Sequence, residues 1–155
     1  MRRRQPSDHR IVDPPPGDRQ NNSGADKTVD SDVNDGWQTR WYTTPAFGNL
    51  KSGMGVLIDL GRPTAVVNVK VDFDSPGATV SARIGNSDPG DNSSGDREID
   101  NTYTTVTGPI KAGASQVLPM DKTTRYVLVW LTRLPPVENN HYQVTIDNIT
   151  VNAGP

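Results

Sequence analysis

Short runs in which apolar and polar residues alternate constrain the fold of this chain more than any other feature. Between residues 67 and 73, valine or phenylalanine occupies every second position. A period of two places these side chains on one face of a β-strand. The alternation recurs at 78–84, after the turn-forming residues 74–77, so the sequence predicts a hairpin of two strands.

Further strand candidates follow along the chain. Residues 126–131 (Tyr-Val-Leu-Val-Trp-Leu) are apolar at every position, which predicts a central strand covered on both faces. The other candidates are residues 55–60, 102–106, 114–118 and 142–151, with a turn at 61–63 between the first of them and the alternating run. About eight short strands with turn-length spacing predict an all-β fold, an antiparallel β-sandwich or jelly roll.

Composition narrows the class of protein. The 155 residues suffice for one domain, and the 14 glycines and 13 prolines disfavour long helices. A net charge of −2 gives no attraction to nucleic acid, so nucleic acid is not an expected partner. The absence of cysteine excludes disulfides and a thiolate nucleophile. No apolar run has the length of a signal peptide or a membrane span, so this segment is not expected to cross a membrane itself.

Two regions differ in character. Residues 1–24 are predicted to form a largely flexible polar tail with a short strand near 10–13, and residues 25–155 a β-sandwich binding domain. Within the domain, residues 85–96 contain no apolar side chain and are expected to form an exposed loop.

The order of several motifs resembles a known family. An acidic turn and an aromatic cluster precede Gly-Val-Leu-Ile-Asp-Leu-Gly at 55–61 and Val-Asn-Val-Lys-Val at 67–71, and this order resembles the galactose-binding-like, discoidin or coagulation-factor type C module. More narrowly, residues 13–18, 47–51 and 144–149 resemble the C-terminal extracytoplasmic domain of actinobacterial MviN-type proteins, which are membrane proteins of peptidoglycan precursor transport, similar to lipid II flippases.

The resemblance implies a jelly-roll module outside the membrane, attached to a membrane-anchored parent protein. It further implies that the module binds a glycan or another peptidoglycan-related ligand without doing chemistry on it. The alternative is a structural or protein-docking domain without a sugar ligand, with cell-wall synthesis or division proteins as partners. No cofactor is expected beyond a structural calcium ion.

Acidic residues at 30–35 are the candidate metal ligands. Calcium takes six to eight oxygen ligands from carboxylates and carbonyls in a flexible loop, and Asp30, Asp32 and Asp35 supply carboxylates here. The family resemblance implies that Asp147 closes the site. The motif departs from the simple Asp-Gly-Asp of many relatives, and the same residues also suit Asx turns.

Aromatic residues near position 40 are the candidate sugar contacts. Trp41 and Tyr42 offer ring faces, while Arg40 and Lys51 offer hydrogen-bond donors. The resemblance places Trp37 in the core instead, and Trp130 belongs to the predicted central strand.

Catalysis is not expected. His9 and His141 are the only imidazoles, and neither lies in a hydrolase or metalloprotease motif. The pairs Glu98 with Asp100 and Asp88 with Asp91 have no apolar surroundings to raise a pKa, so solvated charges are the preferred interpretation. The chain is therefore predicted not to be an enzyme.

Overall fold

A computed structural model of the chain describes residues 2–4, 8–12, 37–38, 42, 53–74, 76–85, 87–90, 93–137 and 141–153. These residues form one α-helix and eight strands, all paired antiparallel. The elements are β1 (Arg2–Arg4), β2 (Asp8–Val12), β3 (Trp37–Gln38), β4 (Met54–Phe73), β5 (Thr79–Gly85), α1 (Ser93–Thr102), β6 (Thr104–Lys111), β7 (Ser115–Arg133) and β8 (Thr145–Ala153). The predicted antiparallel all-β fold and the number of strands are confirmed.

Two long strands, β4 and β7, run through both layers of the sandwich. Their register shifts between Asp59 and Thr64, where Gly61 has a φ of 84° that a residue with a side chain rarely adopts. In the first layer, the first half of β4 pairs with β2 and with the second half of β7, which also pairs with β5. In the second layer, the second half of β4 pairs with β8 and with the first half of β7. The turn predicted at 61–63 is thus a bend within one continuous strand.

An ion pair crosses this bend. Arg125 donates from Nε to Asp59 Oδ1 at 2.9 Å and from an Nη atom to Oδ2 at 3.1 Å. These side-chain hydrogen bonds hold the pKa of Asp59 below its usual 3.8, although partial burial opposes the shift. The pair therefore joins β4 to β7 where both strands change layer.

The main core lies between the two layers, and both layers contribute apolar side chains to it. Val56 and Val129 enter it from the first layer, and Val71 and Ile149 enter it from the second. All four side chains are at most 2% exposed. Burying apolar area of this kind supplies most of the driving force for folding.

A second cluster covers the outer face of the first layer. Ile99 and Tyr103, at the end of α1, pack against Leu57, Leu128 and Trp130. Residues 126–131 are thus buried on both faces, which confirms the predicted central strand. No helix among the described residues is long and apolar enough to cross a membrane.

Helix α1 corrects the sequence analysis, which predicted an exposed loop to residue 96 and a strand from 102. The helix begins at Ser93, and β6 begins at Thr104. Ile99 is the only large apolar side chain in the helix, but it is fully buried. A single buried apolar anchor and contacts with distant strands therefore hold a segment whose own composition is typical of a loop.

The predicted hairpin at 74–77 is also wrong. Strands β4 and β5 do not pair with each other, because each pairs with β7 in the order β4-β7-β5-β6. The chain leaves β4 in the second layer and enters β5 in the first layer. The described residues between them, Asp74 and 76–78, therefore lead from one layer to the other.

Two strands lie in the segment that the sequence assigns to a largely flexible polar tail with one short strand near 10–13. Strand β2 pairs with residues 55–59 of β4, and β1 pairs with residues 151–153 of β8. Val12, in β2, is fully buried. Antiparallel pairing uses backbone groups, so a polar sequence can extend a sheet edge. Residues 13–24 lie outside the described part of the chain, and the domain boundary at 24 stays a prediction.

Candidate functional site at the loop end of the sandwich

The turns and loops between strands converge at one end of the sandwich, called the loop end below. It is the end at which β4, β6 and β7 finish and β5, β7 and β8 begin, at Phe73, Lys111, Arg133, Thr79, Ser115 and Thr145. The Phe73 N–H donates to the Ala114 carbonyl at 2.8 Å, and the Ala112 N–H donates to the Ala78 carbonyl at 2.7 Å. The connections at this end are therefore tied to one another by backbone hydrogen bonds.

Two tyrosines from distant parts of the chain meet at the loop end. The Tyr42 and Tyr142 N–H groups each donate to the other residue's carbonyl at 2.8 Å. Both side chains are half-buried and pack against the main core. Their position leaves part of each residue open to solvent on a fixed backbone, which suits contact with a ligand.

The segment carrying Tyr142 folds back on itself. The Val137 N–H donates to the His141 carbonyl at 2.8 Å, and the Gln143 N–H donates to the Pro135 carbonyl at 3.1 Å. These bonds fix a loop on which His141 and Gln143 are half-buried and Val137 is 41% exposed. Polar and apolar groups thus lie on either side of Tyr142.

Asp147 lies at the loop end, beside the start of β8. Asp72 pairs with Asn148 and Phe73 with Ile146, so the bulged Asp147 has no partner on β4. The side chain is 9% exposed. Burial raises the pKa of Asp147, and the negative charges of Asp74 and Asp72 raise it further.

The environment of Asp147 partly fits a calcium ion. The buried Asp147 carboxylate and the buried Oδ1 of Asn148, which accepts no hydrogen bond from the described residues, are oxygen atoms of the kind that calcium prefers. Within the described ranges, however, no three His, Cys, Asp or Glu residues come close enough to hold a metal. Asp30, Asp32 and Asp35, the other predicted ligands, lie outside those ranges, so the calcium site stays a prediction.

Of the other aromatic and basic residues considered as site residues, some lie outside the described residues and some are placed by the structure. Arg40, Trp41 and Lys51 lie outside the described residues, so their roles stay predictions. The backbone of Trp37 pairs with Ile146 in β3. Trp130 is 4% exposed, which confirms its place in the core.

The residues weighed for catalysis do not form a catalytic arrangement in the described part of the chain. Asp100 lies 3.6 Å from Arg83, while Glu98 is exposed on α1. Asp88 accepts a hydrogen bond from the Gly90 N–H at 3.0 Å in an exposed turn, and Asp91 lies outside the described residues. His141 is on the loop end, and the backbone of His9 pairs with Ile58.

Sequence reasoning missed the pairing of Tyr42 with Tyr142. It placed Tyr142 at the start of the last strand, which begins instead at Thr145. Tyr142 forms isolated bridges with Tyr42 and Pro136. No spacing rule connects residues 100 positions apart, and only the shared tyrosine identity could have suggested a common surface.

The substitution Asp147→Asn should stabilise the fold at neutral pH in calcium-free buffer. Because the folded-state pKa of Asp147 is raised above 3.8, its charge opposes folding once the pH exceeds the unfolded value. The penalty grows until the pH passes the folded-state pKa and is absent at lower pH, where both states hold the proton. Thermal melting of both proteins from pH 3 to pH 8 with a chelator measures this difference.

Asp59→Asn is the matched control, with the opposite sign. Its pKa is lowered, so ionised Asp59 stabilises the fold above about pH 3.8, and this contribution is lost as the pH falls through the folded-state pKa. Asp59→Asn should therefore melt below the parent protein at pH 7. A lower melting temperature for Asp147→Asn at pH 7 would show that Asp147 has a stabilising partner.

Neither a protein-family model nor a curated protein matches the chain. Solved structures do match over nearly its whole length. CpGH89CBM32-6 produced by Clostridium perfringens is 14% identical with a TM-score of 0.62, and the match covers 96% of this chain and 95% of that one. Chitosan-binding module 1 from a chitosanase/glucanase of Paenibacillus sp. IK-5 is 14% identical, with a TM-score of 0.61 and coverage of 97% and 96%.

A pectin-binding carbohydrate-binding module is similar in fold at still lower identity. It is 9% identical, with a TM-score of 0.63, and the match covers 98% of this chain and 94% of that chain. The chain therefore has the β-sandwich fold of carbohydrate-binding modules.

Proposed function

We propose that this chain is a non-catalytic glycan-binding module and that its loop end holds the ligand. The observation that carries the proposal is the Tyr42–Tyr142 pair, which fixes two partly open aromatic residues at the end where the loops converge. The fold supports it, because similar structures include modules described as binding pectin and chitosan.

The chemistry of the loop end suits a sugar. A tyrosine ring packs against the C–H face of a sugar ring, and its hydroxyl both donates and accepts hydrogen bonds. His141 and Gln143 flank Tyr142 with further polar groups. Arg40, Trp41 and Lys51, close to Tyr42 in sequence, are proposed to extend this surface, and Asp30, Asp32, Asp35 and Asp147 are proposed to bind a calcium ion that orders the same loops.

The narrower proposal concerns the ligand and its setting. The resemblance to MviN-type proteins supports a peptidoglycan-related glycan as the ligand. It also supports a location outside the membrane, as a domain of a membrane-anchored protein of cell-wall synthesis.

Tyr142→Ala should weaken glycan binding about tenfold, because it removes a ring at the centre of the surface. The fold should persist, since the bonds to Tyr42 use backbone atoms. Isothermal titration with soluble peptidoglycan fragments, and with chitosan and pectin oligosaccharides, compares the variants. Lys122→Ala, exposed at the opposite end, is the control and should bind as the parent does.

Equal glycan affinity of the parent and Tyr142→Ala would contradict the placement of the binding surface at the loop end. Failure of the parent to bind any of the glycans would favour a protein-docking domain.

A further inference from the structure

A cleft of about 270 Å³ lies at the end of the sandwich opposite to the loop end, where β5 finishes. Its lining residues are Ile84, Gly85, Ser87, Thr102, Tyr103 and Thr104. None of them carries a carboxylate, amine, guanidinium or imidazole. The cleft therefore offers neutral hydrogen-bonding groups and a small apolar surface.

Both sides of the cleft are held in place. An Arg83 Nη atom donates to the carbonyls of Asp100 and Tyr103 at 2.9 and 2.8 Å, and the guanidinium lies 5.5 Å from the centroid of the Trp130 ring. Tyr103 Oη donates to the Ser87 carbonyl at 2.7 Å. The end of α1 and the segment after β5 are thus tied to the sheet and to each other, so the cleft is formed before a ligand enters.

Hydroxyl groups in the cleft are available for a ligand. The exposed Ser87 and Thr104 hydroxyls have no hydrogen-bond partner within the part of the chain that the structure describes. The Thr102 hydroxyl donates to the Glu98 carbonyl at 2.7 Å and keeps its capacity to accept. Each hydroxyl can donate a hydrogen bond to a ligand hydroxyl or accept one from it. An ion would use only one of these two capacities, so the cleft suits a neutral ligand with hydroxyl groups better.

We propose that this cleft is a second binding site, for a single neutral sugar residue. Its volume is just below the range of about 300–1,000 Å³ typical of sites for drug-sized ligands, so one ring fits better than an oligosaccharide. The site is independent of the loop end, and the inference rests on the cleft's own lining. Two sites at opposite ends of one module would let it contact two chains of a polysaccharide, with a gain in overall affinity through multivalency.

Amide NMR of the labelled chain, titrated with galactose, N-acetylglucosamine and galacturonate, tests this inference. The two neutral sugars should shift the amides of Gly85, Ser87 and Thr104 more than galacturonate does. Thr104→Val keeps the β-branched shape that suits a strand but removes one hydroxyl, so it should raise the dissociation constant at these amides about three- to tenfold. Thr105→Val, on the opposite side of the same strand, should leave it unchanged.

The same spectra separate this inference from the proposed function, because they also report on the loop end. Absence of shifts at the cleft amides overturns the inference, whatever Tyr42 and Tyr142 do. An unchanged dissociation constant in Thr104→Val overturns it as well. Shifts at the cleft without shifts at the loop end support the second site and contradict the proposed function.

Discussion

Trp130→Ala should lower the free energy of unfolding by about 3–5 kcal/mol, as large-to-small core substitutions of tryptophan do. The Trp130 side chain is 4% exposed and belongs to the same buried cluster as Leu57 and Leu128 of the sheet and Ile99 of the helix. Its removal leaves a cavity beneath α1 and takes away the ring over which the Arg83 guanidinium lies. Urea denaturation followed by circular dichroism measures the change.

Val117→Ala is the control for this experiment. Val117 belongs to the same strand, β7, but is 47% exposed, so its substitution should cost less than about 1 kcal/mol. A Trp130→Ala protein as stable as this control would mean that α1 does not cover the outer face of the sheet.

Gly55→Ala should cost about 3 kcal/mol, at the upper end of the range for added core atoms. A Cβ at Gly55 would lie 2.0 Å from the Val129 carbonyl oxygen and 3.2 Å from Trp130 Cα. These are backbone atoms of the paired strand, so β4 and β7 would have to separate to make room. Thermal and urea unfolding both report the loss.

Gly113→Ala provides the matched comparison. At Gly113 the nearest atom to an added Cβ is the Ser115 carbonyl oxygen, 3.9 Å away, and the stability should change by less than about 0.5 kcal/mol. If both substitutions were equally mild, the close pairing of the first half of β4 with β7 would be wrong.

Local pattern predicted the apolar strands well because each of them carries its own signal, whereas the short strands β1 and β3 were not predicted. Residues 126–131 are apolar at every position, and this alone indicates a strand buried on both faces. The choice of partner strand leaves no comparable pattern in the local sequence. Strands β4 and β5 are neighbours in sequence, and residues 74–77 between them strongly favour a turn. Both strands nevertheless pair with β7, because the chain changes layer between them.

Helix α1 and the candidate site likewise could not be predicted from local sequence, because both depend on contacts between distant segments. The helix depends on Ile99 reaching the outer face of the sheet and on Arg83, in β5, bonding the carbonyls at its end. The sequence predicts Tyr42 as a sugar contact and Asp147 as a calcium ligand. The pairing of Tyr42 with Tyr142 and the bulge that buries Asp147 arise only from contacts between distant segments.

Amide NMR of the labelled parent chain, titrated with soluble peptidoglycan fragments, tests the central claim most directly. The proposed glycan site predicts shifts concentrated at Tyr42, His141 and Tyr142 and in the neighbouring residues 40–51. Spectra that stay unchanged with every fragment, or shifts confined to amides far from the loop end, would contradict a glycan-binding role for this end of the sandwich.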